Sequence, residues 1–237
     1  MKKTYVYFYK NKYFRSIAKK KLTIKKLFVK NDWIAHHGIE RSGTNYLRAI
    51  LIILKINLIN QFDPAENHPT HKHFRWYTDK SLIPNLKKSL INDLTANNIN
   101  DVNKICKYFP STNHIIIRKK TISGVTSIAN YFYNFKLLQD KKELKNNIHV
   151  IYNDYIAYYD FWQKIYEQNP SRVQIIFYED LIKSSEVLIN ALNVIGINSN
   201  INISKKFNLD EIKESDPYRK KNFSENQILE ILSDKLF

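Results

Sequence analysis

Three short apolar runs, each leading into a helical pattern, constrain the fold more than any other feature of this sequence. Trp33–His37 precedes a helical pattern from Thr44 to about Leu54, in which Leu47, Ile50, Leu51 and Leu54 share one face. His114–Ile117 precedes a helix that begins near Val125, and Val173–Phe177 precedes one running through Leu181, Leu188, Leu192 and Ile195. Strands that alternate with helices in this way form a parallel sheet covered on both faces. The expectation is therefore an α/β fold of three layers, with a central, mostly parallel sheet flanked by helices. Asp154–Gln168, rich in Tyr, Phe and Trp, reads as another helix, and Ser224 as the N-cap of a C-terminal one.

A chain of 237 residues with no internal repeat and no Pro- or Gly-rich linker is most simply one domain. It divides into a basic N-terminal segment (1–30), a core (31–200) and a C-terminal segment (201–237). With four glycines in all, each one is informative. Gly38 and Gly43 flank a turn, Gly124 sits in another, and Gly196 stops a long helical pattern.

The net charge of +16 points to anionic partners: nucleotides, sulfate or phosphate esters, acidic glycans, nucleic acid or an anionic membrane. The first acidic residue is Asp32, so the segment before it is either a solvated Lys-rich face or a contact with a membrane surface or polyanion. Cys106 is the single cysteine, which excludes an internal disulfide and suits a reducing compartment. The N-terminus does not read as a secretory signal, and the apolar run Ala49–Leu54 is too short to span a bilayer. These features predict a cytoplasmic protein with peripheral contact to an anionic membrane through its basic N-terminus. A composition rich in Lys, Asn and Ile is that of an AT-rich genome, as in some bacteria.

The loop Gly38-Ile-Glu-Arg-Ser-Gly-Thr44 joins the first strand to its helix. A loop so placed aims backbone N–H groups at an anion, where the helix dipole favours negative charge. Its spacing is close to a Walker A loop, but Thr44 stands where that loop needs lysine. The positive charge lies instead at Arg41. Arg-Ser-Gly-Thr after a strand resembles the 5′-phosphosulfate loop of sulfotransferases that use 3′-phosphoadenosine 5′-phosphosulfate (PAPS), which reads Lys/Arg-Ser-Gly-Thr. His114-Ile-Ile-Ile-Arg-Lys-Lys120 followed by Ser127 resembles the second motif of that family, in which a strand-end cation and a helix serine hold the 3′-phosphate. Two registers are open: Arg118 or Lys119 as the cation, with Thr126 or Ser127 as the hydroxyl. Val173–Leu181, ending in Tyr-Glu-Asp-Leu, resembles a third landmark, where the matching tyrosine, Tyr178, lies near the adenine. Glu179 and Asp180 are expected to cap or brace the turn that follows.

The resemblance covers Trp33 to Gly196, with three motifs in order at three strand-to-helix junctions. It implies a P-loop-like sulfotransferase fold, PAPS as donor, and a donor site built from Arg41, Ser42, Gly43, Thr44, Asn45, Arg118, Lys119, Ser127 and Tyr178. In this family a histidine after a basic residue, between the first two motifs, often serves as base. His68-Pro-Thr-His-Lys-His-Phe-Arg75 fills that interval here. His73 would take the acceptor proton while Lys72 and Arg41 meet the negative charge. His71, two residues away on an extended segment, and Glu66 are the alternative bases. A zinc site at His71 and His73 lacks a third ligand. Arg219-Lys-Lys221 stands where the family closes an Arg-Lys-Gly segment over the 3′-phosphate, with Lys221 replacing the glycine. The acceptor is expected to be a hydroxyl on a carbohydrate or cell-surface glycan, with charge and aromatic-rich helices suiting sugar rings and carboxylates. The competing readings are a P-loop nucleotide kinase, which would need the lysine absent at Thr44, and a nucleic-acid-binding module, for which no RNA-binding fingerprint is present. A third is an interaction protein that keeps the fold without the chemistry.

Overall fold

The structure, a computed structural model, describes residues 12–28, 32–62, 67–76, 94–105, 111–197 and 221–233. Cys106, Glu66, Arg219 and Lys220 lie outside them. Four strands, β1 (Trp33–His37), β2 (Asn57–Leu58), β3 (Asn113–Arg118) and β4 (Val173–Phe177), form one sheet in the order β2-β1-β3-β4. Every pairing is parallel. The helices are α1 (Lys12–Phe28), α2 (Thr44–Ile53), α3 (Ile99–Ile105), α4 (Thr121–Asn134), α5 (Lys141–Gln168), α6 (Tyr178–Leu181), α7 (Glu186–Val194) and α8 (Glu225–Ser233).

The period-two alternation of each strand separates two cores. Trp33 and Ala35 of β1, Ile116 of β3 and Val173 of β4 pack with α4, α5 and α8 on one face. Ile34, Ile115, Ile117 and Ile176 pack with Leu47, Ile50 and Leu51 of α2 and Leu188 and Leu192 of α7 on the other. The expected three-layer α/β architecture is thus present. After β1 the chain moves to β2 at one edge; after β3 it moves to β4 at the other. The loops leaving β1 and β3 therefore diverge to opposite faces. In an open parallel sheet, a crevice at the carboxyl ends of two such strands is where ligands bind.

Several local details differ from the sequence reading. The helix placed at Asp154–Gln168 begins at Lys141, where Asp140 accepts a hydrogen bond from the Glu143 N–H at 2.8 Å. The long helix expected after β4 is two, α6 and α7, broken around 182–185. Gly124 is not in a turn but inside α4, where a Cβ would stand 2.3 Å from the Tyr155 ring. The two-residue strand β2 was too short to recognise. Its ladder is prolonged by a side chain: Asn60 accepts from the His36 N–H at 3.1 Å and donates to the His36 carbonyl at 2.7 Å. Ser224 does cap α8, pairing with Gln227 as a capping box. Gly196, at φ 75°, closes α7 with bonds from its own N–H to Asn193 and from Ile197 to Leu192, a Schellman ending.

Two fully buried histidines cross the sheet between β1 and β3. His37 Nε2 lies 3.0 Å from His114 Nδ1, and His114 Nε2 lies 3.0 Å from Asn103 Oδ1 on α3. Because Asn103 Oδ1 only accepts, both of these contacts can be made with the rings neutral, each Nε2 carrying the proton. Burial pushes His37 down to about 3, with His71 adding to the effect, and holds His114 well below 6.5 through burial first, then His37 and Arg172. A histidine whose folded pKa is depressed takes up its proton more readily in the unfolded chain. Its stabilisation is complete above about pH 6.5 and is lost as pH falls toward the folded value, by up to about 1.4 kcal/mol per pH unit for each histidine. Urea melts should therefore show stability falling from about pH 7 to pH 5. His114→Gln should have a shallower slope; the same slope in that variant would show that His114 is not a source of the acid sensitivity.

Candidate functional site

The loop leaving β1 turns sharply because two of its residues adopt left-handed backbone, Arg41 at φ 64° and Gly43 at φ 101°. Gly43 is the N-cap of α2 and makes no side-chain cap, so the first-turn N–H groups of this helix have no intrahelical acceptor. Gly43 is required for a second reason: a Cβ there would lie 2.5 Å from Cδ2 of Tyr178. Ser42 is buried, with its hydroxyl donating to the Ile39 carbonyl at 2.7 Å. Thr44 is also buried, whereas Asn45 is exposed at the start of α2. The Arg41 guanidinium stands 5.7 Å from the Tyr131 ring of α4, bringing the loop against the helix that follows β3.

At the second junction one of the two candidate pairs is in contact. Lys119 Nζ donates to Ser127 Oγ at 2.9 Å. Arg118 takes a different course, between the rings of Tyr159 at 4.8 Å and Phe177 at 5.2 Å. Thr126 Oγ1 is buried and makes no hydrogen bond to any described residue. Lys119 Nζ also stands 5.1 Å from the ring of Tyr178, the residue packed on Gly43. The three junctions therefore meet around one tyrosine ring. Glu179 braces the arrangement by accepting from the Lys120 N–H at 3.2 Å, whereas Asp180 faces Lys183 on the exposed surface. Lys221 is exposed, and the next two residues are fastened to α4: the N–H groups of Asn222 and Phe223 both donate to Asn130 Oδ1, one turn beyond Ser127.

The histidine segment is not extended, as its spacing suggested, but a succession of turns, with His71 N–H bonded to the His68 carbonyl and Phe74 N–H to that of His71. The turns give the two histidines different roles. His71 Nδ1 accepts from the His73 backbone N–H at 3.2 Å, which leaves its ring proton on Nε2. His73 Nδ1 donates to the Gly38 carbonyl, so the proton sits on Nδ1 and the basic lone pair on Nε2. No described residue hydrogen-bonds that Nε2. Burial holds the His73 pKa well below 6.5; Glu40 opposes this, while Lys72 and His71 reinforce it. The ring is therefore neutral at physiological pH. Lys72 Nζ donates to Asn45 Oδ1 at 2.9 Å, which places this cation at the N-terminus of α2.

Beneath the segment lies an ion network centred on Arg75. Its guanidinium meets Glu40 at 3.0 and 2.8 Å and Asp154 of α5 at 3.3 and 2.7 Å, and donates to the His73 carbonyl at 2.9 Å. All three ionic residues are at most 5 % exposed. Alongside Asp154, α5 sends three tyrosine hydroxyls to the same region. Tyr155 donates to the Lys119 carbonyl at 2.6 Å, Tyr158 to that of Lys72 at 3.2 Å, and Tyr159 to that of Ile117 at 2.9 Å. Sequence reasoning assigned no role to Arg75, Asp154 or these tyrosines. The available signal was their spacing, because 154, 155, 158 and 159 fall on one helical face. These aromatics, with Trp162, are fully buried, so they brace the loops and cannot stack on a sugar, as the aromatic-rich helices had suggested.

Comparison with known proteins gives no relative: no family model, no curated protein and no solved structure matches this chain. Among the described residues, no group of three His, Cys, Asp or Glu side chains is placed to hold a metal ion. The geometry offers two clusters of donors, one at the N-terminus of α2 and one at Lys119 and Ser127, with a flat ring at Tyr178 and a neutral imidazole at His73.

Arg75→Leu would leave two buried carboxylates facing each other. It should cost about 3–5 kcal/mol, a large part of the stability of a domain this size. Asp154→Asn, which keeps a hydrogen-bond acceptor, should cost less, about 1–3 kcal/mol. Urea denaturation of the two variants checks the order; equal, small losses would show that the network contributes little.

Proposed function

We propose that this chain is a sulfotransferase that moves a sulfuryl group from PAPS to an acceptor hydroxyl, on a P-loop-like sulfotransferase fold. The observation that carries the reading is that Gly43 and Lys119 both lie against Tyr178, with Ser127 bonded to Lys119, because these four residues come from the three separate motifs that resemble the family. PAPS supplies an activated sulfuryl group between a phosphate and the acceptor. Its two anionic ends and flat base suit two donor clusters and an aromatic ring. In this reading Arg41, Ser42, Gly43, Thr44 and Asn45 bind the 5′-phosphosulfate, Lys119 and Ser127 bind the 3′-phosphate, and Tyr178 lies against adenine. Arg118, held between two rings, borders the 3′ site. His73 Nε2 takes the proton of the acceptor hydroxyl, and the Gly38 carbonyl stabilises the imidazolium through Nδ1–H. Lys72 and Arg41 offset negative charge growing on the leaving phosphate. The acceptor in this reading is a carbohydrate hydroxyl, supported by the net charge of +16, which suits an acidic glycan.

Adenosine 3′,5′-bisphosphate should raise the melting temperature well beyond AMP or ATP, since a ligand that binds only the folded state stabilises it. Ser127→Ala should lose most of that shift and Thr126→Ala little. Equal shifts with AMP and the bisphosphate would count against a 3′-phosphate site.

His73→Ala should slow turnover roughly 100- to 10,000-fold, the usual scale for a lost general base, with donor affinity nearly unchanged. His71→Ala should be milder. Because the His73 pKa is depressed, its basic form persists down to acid pH. kcat/KM should therefore rise with pH through a value below 6.5 and stay level above it. A well-folded His73→Ala enzyme with near-normal turnover, or an essential base titrating above neutrality, would remove His73 from this role.

A further inference from the structure

Among its described side chains, helix α1 meets the body through Leu22 and Lys26. Leu22 packs on the main core, and Lys26, one turn later, donates to the Ile59 carbonyl at 2.9 Å while lying 6.0 Å from the Trp33 ring. The opposite side is different in kind. Ile17 and Ile24, two turns apart and so on one stripe, are 36 % and 56 % exposed. Lys20, Lys21 and Lys25 are exposed around them. The helix holds no acidic residue, and none precedes Asp32 in the chain.

A soluble polyanion would engage the lysines and gain nothing from two isoleucines left in water. An anionic lipid surface satisfies both at once: lysines meet headgroup phosphates, and the apolar stripe enters the boundary with the acyl chains. No helix among the described residues is long and apolar enough to cross a membrane, which leaves attachment in the plane of the surface. We infer that α1 docks this protein on an anionic lipid bilayer through Ile17 and Ile24, with Lys20, Lys21 and Lys25 supplying the attraction. This surface is separate from the catalytic reading and stands or falls independently of it.

The test is co-sedimentation of the full chain with phosphatidylcholine vesicles, with and without phosphatidylglycerol. The chain should bind only the anionic vesicles, and less as salt is raised. Ile17→Ser/Ile24→Ser, which leaves the charge unchanged, should weaken binding at least about tenfold. Lys20→Glu/Lys21→Glu should abolish it. Both changes are at exposed positions, and a thermal melt confirms that each variant is folded; Ile24→Gln alone serves if the double variant is not. No vesicle binding by the wild-type chain, or undiminished binding by the folded isoleucine variant, overturns the inference. Capture by soluble polyphosphate that survives the isoleucine substitutions, without vesicle binding, assigns the basic face to a polyanion and overturns it as well.

Discussion

The arrangement at the carboxyl end of the sheet depends on Arg75, which holds two carboxylates away from water. Glu40 comes from the loop after β1, Asp154 from α5, and Arg75 itself from the turn that carries His73. One guanidinium thus ties three distant stretches of chain to a common point. Desolvating these groups is costly, and only the bidentate geometry and the further bond to the His73 carbonyl offset it. The cluster has one more negative charge than positive. That surplus opposes the desolvation that keeps His73 neutral, so the same carboxylate that anchors the loop also bears on the basicity of the ring above it.

Around this point α5 acts as a rigid upright. Its tyrosines hold main-chain carbonyls rather than side chains, so the positions of Lys72, Ile117 and Lys119 are set by their backbones. The side chains of Lys72 and Lys119 are then directed toward Asn45 and Ser127. The supporting bonds thus lie on a long, buried helix, while the cations they position, Lys72 and Lys119, lie on loops.

Strands β1, β3 and β4 were legible because each is a short apolar run, and the loop after β1 because its glycine and arginine stand at fixed offsets. Which of Arg118 and Lys119 meets Ser127 was not, since adjacent cations look alike in the sequence. The turns at His68–Phe74 were hidden because His-x-His spacing is equally compatible with an extended chain. Asp154 and Arg75 lie 79 positions apart, and no local pattern connects such a pair. The tyrosines of α5 were visible as an aromatic stripe, but a stripe does not say whether its hydroxyls face solvent, ligand or backbone. The N-terminal segment disclosed its charge and not its helix, because lysines dominate and the apolar positions are few.

Gly124 and Tyr155 occupy one space. The ring that fills the volume a side chain at 124 would need is the ring whose hydroxyl holds the Lys119 carbonyl. Positions 124 and 155 should therefore vary only together in any descendants of this sequence. A chain that gains a side chain at 124 must shrink residue 155, and in doing so gives up its hold on the backbone of Lys119. Such a lineage could keep its fold, yet its cation at 119 would be placed by solvent rather than by the protein.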